Sequence, residues 1–230
     1  MLTITTFADR DALMAAAAER LADVLRNAIK TRGSACAALS GGATPAPAYT
    51  RLAAMDLDWP KITFALVDER FVPPTHEASN ERLLRNALGP AFAKGAHFMP
   101  MYVAMPTAAQ AAMRASVLYD GQTLDVALMG MGEDGHTASW FPGAGGLGEA
   151  LAANAASTVV ATHAPQAAGA PDRLTLTRAA LRKAQRVLLL ITGDPKRRAL
   201  ETALSGPVEV APVAALFDSD APAPEVLWAP

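Results

Sequence analysis

The apolar positions of the chain fall into short solid blocks separated by longer amphipathic stretches. Residues 2–7 alternate and are β-branched, which predicts a strand. Residues 9–30 are rich in Ala, Leu, Glu and Arg, which predicts a long helix with Asp9 as its N-cap and Gly33 as its stop. Residues 35–40 form a compact apolar run, read as a buried strand. Gly41-Gly42 breaks that run, and 44–54 reads as helix. The pattern then repeats. A strand is expected at 62–67, a Pro-rich loop after it, and helices at 79–88 and 107–119. Strand 124–129 leads into a Gly-rich stretch, 131–148, that breaks regular structure. Short strands follow at 159–162 and 174–177, then the strongest strand at 186–192 and a helix at 194–204. The tail, 225–228, reads as an edge strand. The Ala/Gly-rich piece 143–169 reads as surface loop or weak helix and not as a domain boundary.

Strands alternate with helices, and most of the strands are continuously apolar. That predicts an α/β fold: a mostly parallel central sheet with helices on both faces, Rossmann-like in its layering. With no internal repeat and no linker, a single domain over 1–230 is expected. Ligands in such folds bind beyond the carboxyl ends of the strands. The informative residues are therefore those just after each strand.

Composition narrows the classes. Apolar residues make up 51% of the chain and charged residues 18%, a globular balance. The formal net charge is -2, from 20 basic and 22 acidic residues. No basic excess exists to feed a nucleic-acid footprint, and binding to an anionic membrane surface is disfavoured. No apolar stretch qualifies as a spanning helix, and no signal segment is visible at the start, so a cytoplasmic location is expected. The single cysteine, Cys36, excludes an intrachain disulfide and a multi-cysteine metal site. It lies in an apolar run and reads as a small buried hydrophobe.

After the second strand comes Ser40-Gly41-Gly42-Ala43-Thr44-Pro45. Two glycines let the backbone approach a ligand, Thr44 can cap the next helix, and Pro45 suits its first position. Free N–H groups there make an anion site, although a plain strand-to-helix turn with a cap reads equally well. After the third strand come Asp68, Glu69 and Arg70. Three charged residues at the end of a buried strand are costly unless paired or used. Ser79 reads as the cap of the next helix. After strand 124–129 comes Gly130-Met131-Gly132-Glu133-Asp134-Gly135-His136-Thr137-Ala138-Ser139. Its G-x-G-x-x-G spacing matches the dinucleotide fingerprint, but the uninterrupted helix and the acidic residue on the next strand are missing, so that reading fails. What remains is a loop presenting Asp134 beside His136. An imidazole serves as a base near neutral pH, and a carboxylate can orient it. Arg173 opens a later strand. Lys196 sits in the first turn of a helix, where a cation opposes the helix dipole and so needs another benefit, such as an anionic ligand. Arg197 and Arg198 read as a solvated helix face.

Five stretches together, SGGATP, DERFVPPTHEASN, LMGMGEDGHTASWFPG, PDRLTLT and ITGDPKRRALE, resemble the 6-phosphogluconolactonase family, in family order and across most of the chain. The resemblance implies a sheet-centred α/β fold shared with glucosamine-6-phosphate deaminases. It implies hydrolysis of 6-phospho-D-glucono-1,5-lactone to 6-phosphogluconate in the pentose phosphate pathway, with no cofactor and no metal. By motif match His136 is the general base and Asp134 its neighbour. Arg70 is an active-site cation, with Asp68 beside it as a further catalytic candidate. Gly41, Gly42, Thr44, Arg173 and Lys196 hold the phosphate. Trp140 departs from the family pattern, where Leu is common. The expected partner is a small phosphorylated sugar lactone, with the chain a monomer or weak homo-oligomer.

The chemistry agrees with the residues. A lactone carbonyl is already electrophilic, so an activated water suffices, and the chain has neither a G-x-S-x-G elbow nor an H-E-x-x-H spacing. Two rival readings differ in class. An aminosugar-phosphate isomerase or deaminase on the same scaffold would use Asp68 for proton transfer at carbon, but needs a second carboxylate after the His136 loop, where Thr137 to Pro142 carry none. A non-catalytic sugar-phosphate sensor would not need Asp134 and His136 together.

Overall fold

The structure is a computed structural model that describes residues 2–217 and 223–230. Ten strands occur in it: β1 (Ile4–Thr6), β2 (Ala35–Leu39), β3 (Ile62–Leu66), β4 (Asp68–Arg70), β5 (His97–Phe98), β6 (Val126–Met129), β7 (Val159–His163), β8 (Asp172–Leu176), β9 (Val187–Thr192) and β10 (Glu225–Ala229). The helices are α1 (Arg10–Arg32), α2 (Ala46–Ala53), α3 (Asn80–Ala87), α4 (Gly89–Ala93), α5 (Ala108–Tyr119), α6 (Leu147–Leu151), α7 (Arg178–Leu181) and α8 (Asp194–Ala203).

Seven strands form one parallel sheet in the order β1-β10-β9-β6-β2-β3-β5. Its central strands are buried along their whole length, as solid apolar runs require in a sheet covered on both faces. From β2 the chain moves one way to β3 and β5. From β6 it moves the other way to β9 and β10. The switch between β2 and β6 opens a crevice at their carboxyl ends, where ligands bind in such sheets.

Helix α1 shows why the long polar-apolar stretch folds as it does. Leu13, Ala17, Leu21, Leu25 and Ala28 recur at three- and four-residue spacing and are buried. Asp9 accepts the Ala12 N–H at 2.8 Å, and Gly33, at φ 83, closes the far end. Ser79 and Thr107 cap α3 and α5 in the same way.

The structure corrects three expectations. Thr44 does not cap α2: the chain already turns at residues 43–45, Pro45 itself takes the cap position in helical geometry, and no side chain accepts there. The tail strand is not at the edge. β10 lies between β1 and β9, and four of its five residues are buried. Asp68, Glu69 and Arg70 do not trail from β3. After a bend at Val67 they form β4, which joins β8 and β7 in a separate antiparallel sheet. The stretch 143–169 holds a short helix, α6, and the expected strand, β7. Short β5, α4 and α7 have no signal strong enough to predict them.

Candidate active site

A cleft of about 320 Å³ opens at the switch between β2 and β6. Of the nine residues singled out in the sequence, eight line it: Gly41, Gly42, Thr44, Asp68, Arg70, His136, Arg173 and Lys196. Asp134 does not. It lines a neighbouring cleft and reaches the first through His136.

His136 is fixed on three sides. Its Nδ1 lies 2.6 Å from Asp134 Oδ1, which also accepts the His136 backbone N–H at 3.1 Å. Gly132 lies against the ring: a Cβ there would stand 2.3 Å from Cε1 and Nδ1. Phe141 stacks on one face, with centroids 4.2 Å apart and planes at 26°. Nε2 makes no hydrogen bond among the described residues. A carboxylate at Nδ1 favours the proton there, which leaves a lone pair on Nε2. The loop itself is pinned by bonds from Gly132 N to His136 O at 2.9 Å, from Thr137 Oγ1 to Gly130 O at 2.7 Å and from Val213 N to Gly135 O at 2.9 Å. Gly135, at φ 78, lies against Ala211 and has no room for a side chain. Beyond it Ala138 adopts φ 48, a left-handed conformation uncommon for a residue with a Cβ, and its neighbours hold it there.

Those neighbours link the two sheets. Buried Ser139 donates its hydroxyl to Asp68 Oδ2 at 2.6 Å. Fully buried Trp140 donates Nε1 to Leu176 O at 2.9 Å, so the unusual Trp serves to tie the loop to β8. Asp68 therefore faces the cleft with Oδ2 occupied and Oδ1 only weakly engaged, 3.4 Å from Asn80 Nδ2.

Glu69 solves the cost of three charges at a strand end. Fully buried, its carboxylate accepts the N–H groups of Arg70, Asn80 and Glu81 at 2.7–2.8 Å and the Ser79 hydroxyl at 2.9 Å. Burial pushes its carboxyl above the ordinary range, and those four donors oppose the push. It clamps β4 to the start of α3, which places Arg70 and Asn80. Arg70 Nη1 donates to Ala78 O at 2.5 Å and to Asn80 Oδ1 at 3.0 Å, and its buried Nε has no partner among the described residues. Asn80 Nδ2 donates to Asp68 O at 2.8 Å and packs under Gly41, where a Cβ would fall 1.8 Å from Asn80 Oδ1. The Gly41 position thus has a steric reason as well as a ligand-facing one.

The two remaining cations differ. Lys196, in the first turn of α8, has no ion pair among the described residues and lines the cleft. Arg173 is buried and already committed: Nε donates to Ala170 O at 2.6 Å and Nη2 to Ala168 O at 2.5 Å. Its guanidinium lies over Phe141, 5.4 Å from the ring centroid. Burial lowers its pKa from the ordinary value. Arg197 pairs with Glu201 and stacks on Trp228, outside the cleft.

Asn80, Ser139, Phe141 and Ser40 belong to the site without having been assigned to it. The buried Ser40 hydroxyl lines the cleft and has no hydrogen-bond partner among the described residues. Asp68 and Ser139 are 71 positions apart, so no local spacing announces their bond. A second pair, His163 Nδ1 with Asp172 Oδ1 at 2.7 Å, is more than half exposed and lies outside the cleft. Among the described residues no cluster of three or more His, Cys, Asp or Glu could hold a metal, and no helix is long and apolar enough to cross a membrane.

The cleft brings together an imidazole held by a carboxylate, a Gly-Gly turn at a strand's carboxyl end and a lysine with no ion pair among the described residues. A model of the glucosamine-6-phosphate isomerases/6-phosphogluconolactonase family matches residues 8–228. The chain belongs to that family. It is similar to the 6-phosphogluconolactonase of Rhizobium meliloti (strain 1021), 41% identical over 97% of both chains. It is also similar to that of Mesorhizobium japonicum, 42% identical over 97% of this chain and 94% of the relative. Among solved structures, a 6-phosphogluconolactonase from Shewanella baltica OS155 superposes with a TM-score of 0.94 at 31% identity, covering 100% of this chain and 98% of the other. The family's central parallel sheet is the one described above.

Proposed function

We propose that the protein is a 6-phosphogluconolactonase. It hydrolyses 6-phospho-D-glucono-1,5-lactone to 6-phospho-D-gluconate, in the oxidative pentose phosphate pathway, by water that His136 activates. The observation that carries the mechanism is the His136–Asp134 contact of 2.6 Å, which leaves Nε2 free in a cleft that also holds Lys196 and the Gly41-Gly42 turn. The family relatives support the substrate and reaction.

In this reading Nε2 takes a proton from water as its oxygen bonds to C1 of the lactone. The tetrahedral intermediate then expels the ring oxygen, which takes that proton back from the imidazolium, and the C1–O5 bond breaks. The carboxylic acid formed ionises at neutral pH. Asp134 stabilises the transient imidazolium. Lys196 and the N–H groups of the Gly41–Thr44 turn hold the phosphate, far from C1, and so convert remote binding into orientation. Asp68 Oδ1 and the Ser40 hydroxyl accept and donate to sugar hydroxyls, and Arg70 supplies positive charge beside them. Arg173 contributes charge to the phosphate end with its remaining donors, while Nε and Nη2 hold the wall of the cleft. No step calls for a metal or cofactor. The cytoplasm as its place belongs to the same reading.

An isomerase or deaminase on this scaffold needs a second carboxylate, and Asp68 is the one carboxylate among the described residues lining the cleft. The test of the assignment is acid release from freshly made 6-phosphogluconolactone. A rate far above the spontaneous one, with little acceleration of free gluconolactone, is expected. No acceleration above the spontaneous rate would overturn it.

A further inference from the structure

Phe141 lies between two charged or ionisable groups. One face of its ring stacks on His136, 4.2 Å between centroids and 26° between planes. The Arg173 guanidinium lies over the ring, 5.4 Å from its centroid. Arg173 is itself locked, with two nitrogens on the carbonyls of Ala168 and Ala170. The phenyl ring is therefore held by a buried side chain that cannot easily move, and it bears on the imidazole. Phe141 is half-buried and lines both the substrate cleft and the neighbouring cleft that Asp134 lines. It forms part of the wall between them.

The contacts to His136 divide its freedom. Nδ1 lies off the Cβ–Cγ bond, so the contact with Asp134 restrains rotation about that bond, but a hydrogen bond tolerates tilting of the ring. Gly132 limits motion at the Cε1 edge. The flat phenyl on the face adds a restraint on that tilt. Stacked aromatic rings at this separation prefer a defined offset, and a cation over the ring adds attraction on a guanidinium–phenyl pair. A base acts only while its lone pair points at the attacking water, and small misplacements in such geometry cost large factors in rate.

We infer that Phe141 is a positioning residue for this reaction: with Arg173 behind it, it sets the plane of the His136 imidazole so that Nε2 faces the water and the lactone carbon. The inference rests on the reading of His136 as the base. Aromatic character at this position is what the role needs. Phe141→Leu keeps an apolar side chain but loses the flat face. Phe141→Tyr keeps the face.

The experiment is steady-state hydrolysis of the phosphorylated lactone by parent, Phe141→Leu and Phe141→Tyr, with NMR of the imidazole C–H signals, His136→Ala serving to assign them. In the parent the His136 signals should lie upfield, from the ring current of the stacked phenyl. Phe141→Leu should lose that shift and lose kcat by roughly 10- to 100-fold, with KM within about 2-fold, as expected for an interaction used in the transition state. Phe141→Tyr should restore the shift and most of kcat. Parental kcat in Phe141→Leu, or a fall in kcat with the His136 signals unmoved, would overturn the inference. If Phe141→Leu does not fold, Phe141→Tyr decides: loss of its upfield shift or of most of its kcat would overturn it. Full activity in His136→Ala would instead sink the reading of the base, and the ring-current shift would still report on the stack.

Discussion

Asp134 Oδ1 lies 2.6 Å from Nδ1 of His136 and 3.1 Å from the His136 backbone nitrogen, so one carboxylate oxygen fixes both the imidazole and its peptide. The Asp134 side chain is half exposed, which weakens its electrostatic hold but not its geometric one. Asp134→Asn should lower kcat by about 10- to 100-fold, less than loss of the imidazole, because an amide can no longer favour the Nδ1–H form as strongly. Parental kcat in that variant would show that the contact is incidental.

Gly132→Ala tests the packing from the opposite side. The new methyl would fall 2.3 Å from the His136 ring and 2.4 Å from Asp134 Oδ1, so these side chains must shift. Activity should fall by about 10-fold or more while the melting temperature changes little, since the atoms displaced are at the cleft and not in the core. Unchanged kcat would mean that the imidazole tolerates displacement and that its placement is not critical.

The two cations should separate in kinetics and stability. Lys196→Ala should raise KM for the phosphorylated lactone strongly, leave free gluconolactone unaffected and leave stability near parental, because Lys196 holds no ion pair among the described residues. Arg173→Ala should raise KM and also destabilise the fold by about 1–3 kcal/mol, since two carbonyls lose their donors. Denaturant titration with kinetics checks both. Equal kcat/KM for phosphorylated and free lactone would remove the phosphate site altogether.

Cys36 should be inert while the protein is folded. Burial first, then the Asp125 carboxylate, push its thiol from 9.0 up to about 12. A thiol reagent near neutral pH should react only at the rate of unfolding. The folded pKa lies above the unfolded one, so the contribution to stability is whole below about pH 9 and is lost as pH rises from there towards about 12. Buried Tyr49 and Tyr119 are also raised and add to the loss at higher pH. Cys36→Ala should flatten the alkaline stability slope only in its lower part. Rapid labelling of native protein would contradict the buried thiol.

The parallel sheet was readable because its strands are solid apolar runs set between amphipathic helices, and eight of the nine residues proposed for the site do meet in one cleft. What the sequence hid is long-range. Asp68 reads as the frayed end of β3 until the bend at Val67 turns it into a second sheet, and Ser139 meets it across 71 positions. Glu69 reads as one more charge at a strand end, although three backbone N–H groups and a hydroxyl make it a buried clamp. The family resemblance makes Arg173 a phosphate ligand, and its bonds to two loop carbonyls have no sequence signature. The tail strand reads as an edge because nothing in its pattern reports that β1, the first strand of the chain, pairs outside it.

The most direct measurement is the hydrolysis rate of freshly prepared 6-phosphogluconolactone by purified His136→Ala, followed as acid release and corrected for the spontaneous reaction, with inhibition by the product 6-phosphogluconate measured alongside. If Nε2 of His136 activates the water, kcat falls on the order of 10²-fold or more while product affinity changes little. A variant that hydrolyses the lactone at near the parental rate would contradict the mechanism and leave the cleft in need of a different base.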